Sequence, residues 1–146
     1  MKIEEIEEEV VNEFSAYEDW LDKYNVIIEM GKSLPMIDEK YKTDAFLITG
    51  CQSKVWLHAE YLDGKIILTA DSDAIITKGI INILIRIFSN QSPEDILHAN
   101  LDFIDKIGLK EHLSPTRNNG LSSMVKQIKL YALAFKTKME QQGYVG

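Results

Sequence analysis

Cys51 is the residue of this chain best suited to chemistry, because its thiol is the only one in the sequence. It lies in Gly50-Cys51-Gln52-Ser53, between two apolar runs rich in residues that favour strands. Gly50 permits backbone angles that other residues resist, and the polar pair Gln52 and Ser53 can satisfy the amides of a turn. We therefore expect Cys51 at the tip of a turn, where its thiol can be offered to another molecule.

Length and charge limit the kind of protein this can be. The 146 residues fit a single domain, 1–146, that can bury a sizeable core without disulfides or a structural metal. A net charge of -7 disfavours nucleic acid, because neutralising phosphates requires a concentrated cationic face. We therefore expect a partner that is a protein or a small molecule.

The sequence also carries information on compartment. The first nine residues are acidic where a signal peptide would be basic, and no segment reaches the roughly 18 apolar residues of a membrane span. A single cysteine forms no internal disulfide, so its thiol should stay reduced in the cytosol. The sequence thus predicts a cytoplasmic protein with no membrane segment.

The elements around Cys51 can be predicted from hydrophobic spacing. Apolar residues recur every three or four positions from Ile3 to Ile28, which predicts a helical stripe broken into two helices near Ser15. Strand-like runs follow at about 44–49, 54–61 and 65–70, and Asp63-Gly64 joins the last two as a hairpin turn. In the second run, Val55 and every second residue after it should face the core.

The second half of the chain reads as mostly helical. The run 74–88 is apolar on most sides, so we expect a buried central helix on the sheet, with a strand as the alternative because isoleucine lowers helix propensity. Asp71-Ser72-Asp73 before it should cap this helix, or else its carboxylates contact a partner or adjust the Cys51 thiol. Gly79 should permit close approach to the sheet. Short helices near 93–98 and 101–107, a turn at 114–120 and an amphipathic last helix complete the prediction.

Four segments together resemble the SufE family of sulfur acceptors. In chain order they are Ile27-Ile28-x-Met30-Gly31-x-x-Leu34-Pro35, Gly50-Cys51-Gln52-Ser53-x-Val55-Trp56, Asp71-Ser72-Asp73-Ala74-x-Ile76-x-Lys78-Gly79 and Leu113-Ser114-Pro115-x-Arg117-x-x-Gly120-Leu121. The resemblance covers nearly the full chain. It implies an α+β fold shared with the IscU-type scaffolds, in which a small antiparallel sheet of about three strands packs against helices.

The resemblance also implies a function in iron–sulfur cluster biogenesis. A SufE-like protein takes sulfur from a SufS-type cysteine desulfurase, stimulates its turnover and delivers the sulfur to the SufBCD scaffold. Cys51 would hold the sulfur as a persulfide, so the chain would be a sulfur-transfer accessory protein rather than a stand-alone enzyme. The pyridoxal phosphate belongs to the desulfurase, so no cofactor or metal of its own is expected, and the chain would be a monomer or a weak homodimer.

A reactive thiolate needs positive potential or amide donors nearby. Lys54, Arg117 and the start of the last helix are the candidates. Arg117 can approach the sulfur, or it can pair with Asp71 or Asp73 and hold the turn in place.

Other classes of protein fit the residues less well. A cluster scaffold needs several thiolates, and a cysteine hydrolase needs a histidine base, yet the three histidines are scattered and show no metal-ligand or orienting pattern. A binding module that activates a desulfurase through its surface, with Cys51 merely packed, is the alternative function.

Overall fold

The computed structural model describes residues 2–48, 53–100, 102–108 and 115–145, with side chains of the last helix from 120 to 138. The described chain is an α+β arrangement of six α-helices and a two-stranded sheet. In chain order the elements are α1 (Ile3–Ser15), α2 (Trp20–Lys32), the 3-10 turns Glu39–Tyr41 and Asp44–Phe46, β1 (Val55–Leu62), β2 (Lys65–Ser72), α3 (Ile75–Phe88), α4 (Pro93–His98), α5 (Asp102–Lys106) and α6 (Pro115–Val145).

The N-terminal stripe divides into two helices where the sequence predicts a break. The side chain of Asp19 accepts a hydrogen bond from the amide of Leu21 and caps α2. Val10 and Phe14 of α1 and Ile27 of α2 are buried, whereas Leu21 is exposed. The predicted stripe therefore fails at Leu21, whereas its neighbour Trp20, the first residue of α2, packs against the core.

The sheet is a hairpin whose turn follows directly from its sequence. Strands β1 and β2 pair antiparallel from Val55 opposite Ser72 to Leu62 opposite Lys65. Asp63 and Gly64 both have positive φ, of 51° and 82°, as a two-residue turn of type I′ requires. Val55, Leu57 and Ala59 are buried, which confirms the predicted core face of β1.

Helix α3 packs against α2 more closely than any side chain would permit. A Cβ added at Gly79 would lie 1.9 Å from the carbonyl oxygen of Ile27. Gly79 therefore permits close approach to a neighbouring helix, not to the sheet as predicted. The helix itself is confirmed, with ten of its 14 residues buried.

The edge of β2 that faces away from β1 is bonded along its length. The outward amides of Ile66, Leu68 and Ala70 donate to the Gln91 carbonyl, the Ser89 hydroxyl and the Pro35 carbonyl respectively. Loop segments therefore cover this edge without adding a strand. The described sheet keeps two strands.

Helix α6 lies along β1 and runs in the same direction. The Tyr131 hydroxyl donates to the Leu57 carbonyl at 2.9 Å, and the rings of Phe135 and Tyr61 stack with centroids 5.6 Å apart. Since Tyr131 and Phe135 follow the same order as Leu57 and Tyr61, the start of α6 lies toward the end of the sheet where β1 begins.

Three predicted boundaries are wrong. The run 44–49 begins as a 3-10 turn and contributes one antiparallel bridge, Leu47 to Trp56, rather than a third strand. The predicted turn at 114–120 is largely helix, because α6 begins at Pro115, whose fixed φ suits a first helical position. Strand β2 extends to Ser72, so the N-cap of α3 is Ala74, which makes no side-chain capping bond.

No helix within the described ranges combines the length and the apolar character that a bilayer span requires.

Candidate functional site

The loop that carries Cys51 leaves and re-enters the fold at two neighbouring points. Gly50, Cys51 and Gln52 fall in the range 49–52, outside the described residues. On either side of that range, the Ile48 amide donates to the Val55 carbonyl at 2.8 Å, and Leu47 forms its bridge with Trp56. The two ends of the loop are therefore held together at the start of β1.

The returning end of the loop is bonded to the segment that precedes α3. The Lys54 amide donates to the Asp73 carboxylate at 3.0 Å. The Lys54 carbonyl accepts from the Ser72 hydroxyl at 2.7 Å and from the Asp73 amide at 3.2 Å. Asp73 and Ser72 thus fix the backbone one residue after the half-buried Ser53, instead of capping the helix as predicted.

A buried ion cluster lies beside this attachment. Asp71 is 5% exposed, and its carboxylate is 2.5 Å from the ammonium of Lys42 and 3.4 Å from that of Lys78. It also accepts from the Ser72 amide at 2.8 Å. Lys42 comes from the segment before the loop and Lys78 from the first turn of α3, so one carboxylate joins three parts of the chain.

The contacts within this cluster favour the charged forms of Asp71 and Lys42. Burial acts to raise the pKa of Asp71, but the hydrogen bonds from Lys42 and the Ser72 amide, with the charge of Lys78, outweigh it and hold the pKa below its usual value. The hydrogen bond to Asp71 in turn raises the pKa of Lys42. The Asp71–Lys42 pair therefore keeps one negative and one positive charge close to the loop.

An aromatic group covers the outer face of β1. The rings of His58 and Tyr41 stack with centroids 3.7 Å apart at 9°, and Phe46 meets His58 edge-on. Trp56 lies next along the same face, with the Lys42 ammonium 5.8 Å from its ring centre. His58 is therefore packed between rings, which disfavours the cysteine hydrolase interpretation.

Arg117 belongs to the first turn of α6, and its side chain lies outside the described residues. Because α6 runs along β1, this turn lies toward the end of the sheet from which the Cys51 loop emerges. The predicted pairing of Arg117 with Asp71 or Asp73 stays a prediction. The partners described for Asp71 are Lys42 and Lys78.

Two lysines of the site were not predicted from the sequence. Lys42 lies in a polar stretch with no periodicity, so nothing local distinguishes it from a solvent-exposed lysine. Lys78 stands one turn into α3, in the third of the four family segments, and only the fold shows that it faces Asp71. Within the described ranges, no three histidine, cysteine, aspartate or glutamate side chains converge as metal ligands would.

This chain is similar to known proteins. The family described as SufE: Fe-S metabolism associated domain matches residues 8–132. A SufE-like protein of Rhizobium meliloti is 39% identical over 127 residues, which are 84% of this chain and 91% of that protein. SufE-like protein 1, chloroplastic/mitochondrial, of Arabidopsis thaliana is 34% identical over 140 residues, which are 95% of this chain but 38% of the plant protein.

A solved structure has the same fold. It is the solution structure of a hypothetical protein from Thermus thermophilus, with a TM-score of 0.76, 21% identity, and coverage of 90% of this chain and 96% of the other. Together with the family match over residues 8–132, these similarities show that the chain belongs to the SufE family, whose domain is associated with iron–sulfur metabolism.

Proposed function

We propose that this protein is a sulfur acceptor and carrier for iron–sulfur cluster biogenesis, with Cys51 as the residue that holds the sulfur. Its donor is a SufS-type cysteine desulfurase, and its acceptor is the SufBCD scaffold. The chain needs no cofactor of its own, because the pyridoxal phosphate chemistry that frees the sulfur takes place on the donor. We place this function in the cytoplasm, where a single thiol stays reduced.

The first step is a thiol exchange. The Cys51 thiolate attacks the terminal sulfur of the persulfide on the donor's cysteine, and a new sulfur–sulfur bond forms at Cys51. The old sulfur–sulfur bond breaks, and the donor's cysteine leaves as a thiolate. No electrons are gained or lost overall. The donor is thereby freed for another turnover, which accounts for stimulation of the desulfurase.

The second step repeats this chemistry with a new nucleophile. A thiolate of the acceptor attacks the terminal sulfur on Cys51, and Cys51 returns to the thiolate state. A second cysteine nearby would attack the persulfide and form a disulfide, releasing the sulfur as sulfide. The sequence has no second cysteine, so this loss has no internal route.

The observation that carries the proposal is how the loop ends are attached. Hydrogen bonds fix the backbone at Ile48 and Lys54, and the intervening residues 49–53 include the single cysteine. A loop held in this way can present a thiol to a partner without disturbing the core. The Lys42–Asp71–Lys78 cluster stabilises the same region and supports the proposal.

A mass measurement tests the function directly. The protein is incubated anaerobically with a SufS-type desulfurase and cysteine, and the intact mass is then recorded. We expect a gain of one or more sulfur atoms on Cys51 that a reducing thiol reverses, and no gain in Cys51→Ser. Cys51→Ser should still bind the desulfurase but no longer stimulate it.

Two results would contradict the proposal. The first is a wild-type protein that binds the desulfurase but gains no sulfur. The second is a Cys51→Ser variant that stimulates the desulfurase as well as the wild type does, in which case the protein would be a surface-acting activator.

A further inference from the structure

A segment ahead of β1 crosses the outer face of the hairpin. At its start, the Ile37 amide donates to the Ala70 carbonyl on the outer edge of β2. At its end, Leu47 bridges Trp56 on the edge of β1 that does not pair with β2. Residues 38–47 therefore run from one edge of the sheet to the other, and we call them the strap.

The strap is longer than this crossing requires. The distance between its two attachment points corresponds to three strand spacings, about 14 Å in all. The steps from Ile37 to Leu47 could span about 33 Å if they were extended. The 3-10 turns Glu39–Tyr41 and Asp44–Phe46 take up the excess length. The middle of the strap can therefore move off the sheet while its flanking residues, Ile37 and Ile48, stay buried.

Few contacts hold the middle of the strap on the sheet. None of its side chains, all of which the structure describes, is buried. The rings of Tyr41 and Phe46 pack on His58, and the Lys42 ammonium contacts the Asp71 carboxylate. Segments with little buried apolar surface open at a lower free-energy cost than the core of a protein. The strap should therefore open before α3 or the sheet does.

Both charges of the Lys42–Asp71 contact have a second partner. The Lys42 ammonium also bonds to Glu39, within the strap, at 3.1 Å. The Asp71 carboxylate is also 3.4 Å from the Lys78 ammonium of α3, and it accepts from the Ser72 amide. Breaking a buried ion pair is costly when it leaves one charge alone. Lifting the strap leaves neither charge alone, so this contact can break and form again.

We propose that the strap is a conformational device that lifts from the sheet as a unit, with the Lys42–Asp71 contact as its latch. Lys78 keeps Asp71 paired while the latch is open. With the lysine of the strap alone, every opening would leave a buried carboxylate without a cation.

Lifting the strap changes the surface beside the Cys51 loop. The closed strap covers the His58 ring, and it holds the Lys42 ammonium 5.8 Å from the centre of the Trp56 ring. The lifted strap exposes more of both rings, and Trp56 directly follows Val55, whose carbonyl anchors one end of the loop. On the basis of the proposed function, a protein that exchanges sulfur with Cys51 meets a larger aromatic surface when the strap is lifted.

Native-state hydrogen exchange, followed by NMR on the full chain, tests this inference. The probes are the amides of Tyr41, Lys42 and Phe46, which donate to carbonyls within the strap itself. A 3-10 turn of three residues is too short to be stable once detached, so lifting should expose all three amides together. Amides of α3 report global unfolding in the same spectra.

Two lysine variants separate a latch from ordinary stabilisation. Lys42→Met removes the latch and keeps the aliphatic stem. Lys78→Met removes the lysine that stays with Asp71 when the strap lifts. Lys65→Met is the matched control, because Lys65 is exposed at the start of β2, away from the strap. Circular dichroism checks that each variant is folded.

In the wild type, the three strap amides should share one protection factor, below that of α3. Lys42→Met should lower this protection factor about tenfold, because the closed strap loses its ion pair. Lys78→Met should raise it severalfold, because Asp71 then depends on Lys42 and lifting the strap leaves the carboxylate without either lysine. Lys65→Met should leave it unchanged.

The inference is wrong if the amides of the two 3-10 turns have unrelated protection factors, or if they exchange only together with α3. It is also wrong if Lys42→Met leaves their protection unchanged. A lower protection in Lys78→Met would overturn it as well, because two lysines that merely stabilise the fold give that result. Failure of the proposed function is a separate result, since it appears as absence of sulfur on wild-type Cys51 whatever the exchange rates are.

Discussion

Replacing Asp71 with asparagine tests whether the buried ion cluster supports the fold next to the Cys51 loop. Asparagine keeps the size and the polarity of the side chain but removes the negative charge. Lys42 and Lys78, which both contact the Asp71 carboxylate, are then left without it. Any loss of stability should therefore come from the missing charge and not from a cavity.

The structure sets the size of the expected loss. Removing one partner from a fully buried ion pair costs about 3–5 kcal/mol. Here the side chains of Lys42 and Lys78 are 21% and 33% exposed, so their ammonium groups can turn partly to water when Asp71 is neutral. We expect Asp71→Asn to lower the free energy of unfolding by about 2–3 kcal/mol at pH 7, a value discounted for that solvation.

The same cluster predicts a pH dependence. The pKa of Asp71 in the folded protein lies below its ordinary value of 3.8. A group whose pKa is lower in the folded state stabilises that state when the pH is above the pKa of the unfolded chain. This contribution is lost as the pH falls through the pKa of the folded state. The stability difference between wild type and Asp71→Asn should thus be complete at pH 7 and shrink below pH 3.8.

Urea unfolding followed by circular dichroism, at several pH values, measures both effects. Glu94→Gln is the control, because the Glu94 carboxylate, whose side chain is 63% exposed, pairs with Lys136 at the surface, and the loss of this pair should change stability within error. A loss for Asp71→Asn below about 0.5 kcal/mol at pH 7, or a difference that does not change in acid, would refute the reasoning.

Three further changes test other contacts. Gly79→Ala should lower the free energy of unfolding by at least about 3 kcal/mol in urea titrations, or prevent folding, because its Cβ would overlap a backbone carbonyl of α2. A Cβ at Gly31 would meet its nearest atoms at 3.0–3.1 Å, so Gly31→Ala should be far milder. Ser72→Ala removes the hydroxyl that holds the Lys54 carbonyl, so hydrogen exchange of the Lys54 amide should accelerate severalfold, and an unchanged rate would contradict this. Tyr131→Phe should lower the free energy of unfolding by about 1 kcal/mol in the same urea assay, because it loses the hydrogen bond to the Leu57 carbonyl. Burial raises the pKa of Tyr131, so absorbance titration of the wild type should show one phenol that ionises above pH 10.0, and the variant should lack it.

The fold was predictable where local chemistry leaves few options. Asp63-Gly64 specifies a hairpin because both residues tolerate positive φ, and the structure has that turn. Alternation along β1 predicted its buried face. The short helix predicted near 93–98 begins at Pro93, where the Ser92 hydroxyl accepts from the Asp95 amide. In each case the cause and its effect lie within a few residues.

Contacts between distant segments were not predictable in the same way. Asp71 was expected near a helix start. Instead, the pairing with β1 extends β2 by two residues beyond the predicted 65–70, and the Asp71 carboxylate is buried against Lys42. Gly79 was expected to contact the sheet. It contacts α2 instead, and this contact depends on how the two helices cross. The run 44–49 has the composition of a strand, but its first residues form the 3-10 turn Asp44–Phe46. Only Leu47 then pairs with the sheet in the described part of this run, through one antiparallel bridge to Trp56.

The candidate site divides in the same manner. Sequence alone singled out the cysteine and the Asp-Ser-Asp triplet, and the structure brings Ser72 and Asp73 onto Lys54, one position from Ser53. The lysines that neutralise Asp71 could not be chosen from sixteen basic residues without the fold.

The covered edge of β2 restricts how other proteins can recognise this one. A foreign segment cannot extend the sheet there by backbone pairing, because the amides of Ile66, Leu68 and Ala70 are already taken by the chain's own loops. Recognition at that side must depend on side chains, whose identity can change from one species to the next while the backbone stays the same. Two related chains with the same backbone could therefore differ in which proteins bind them on this side.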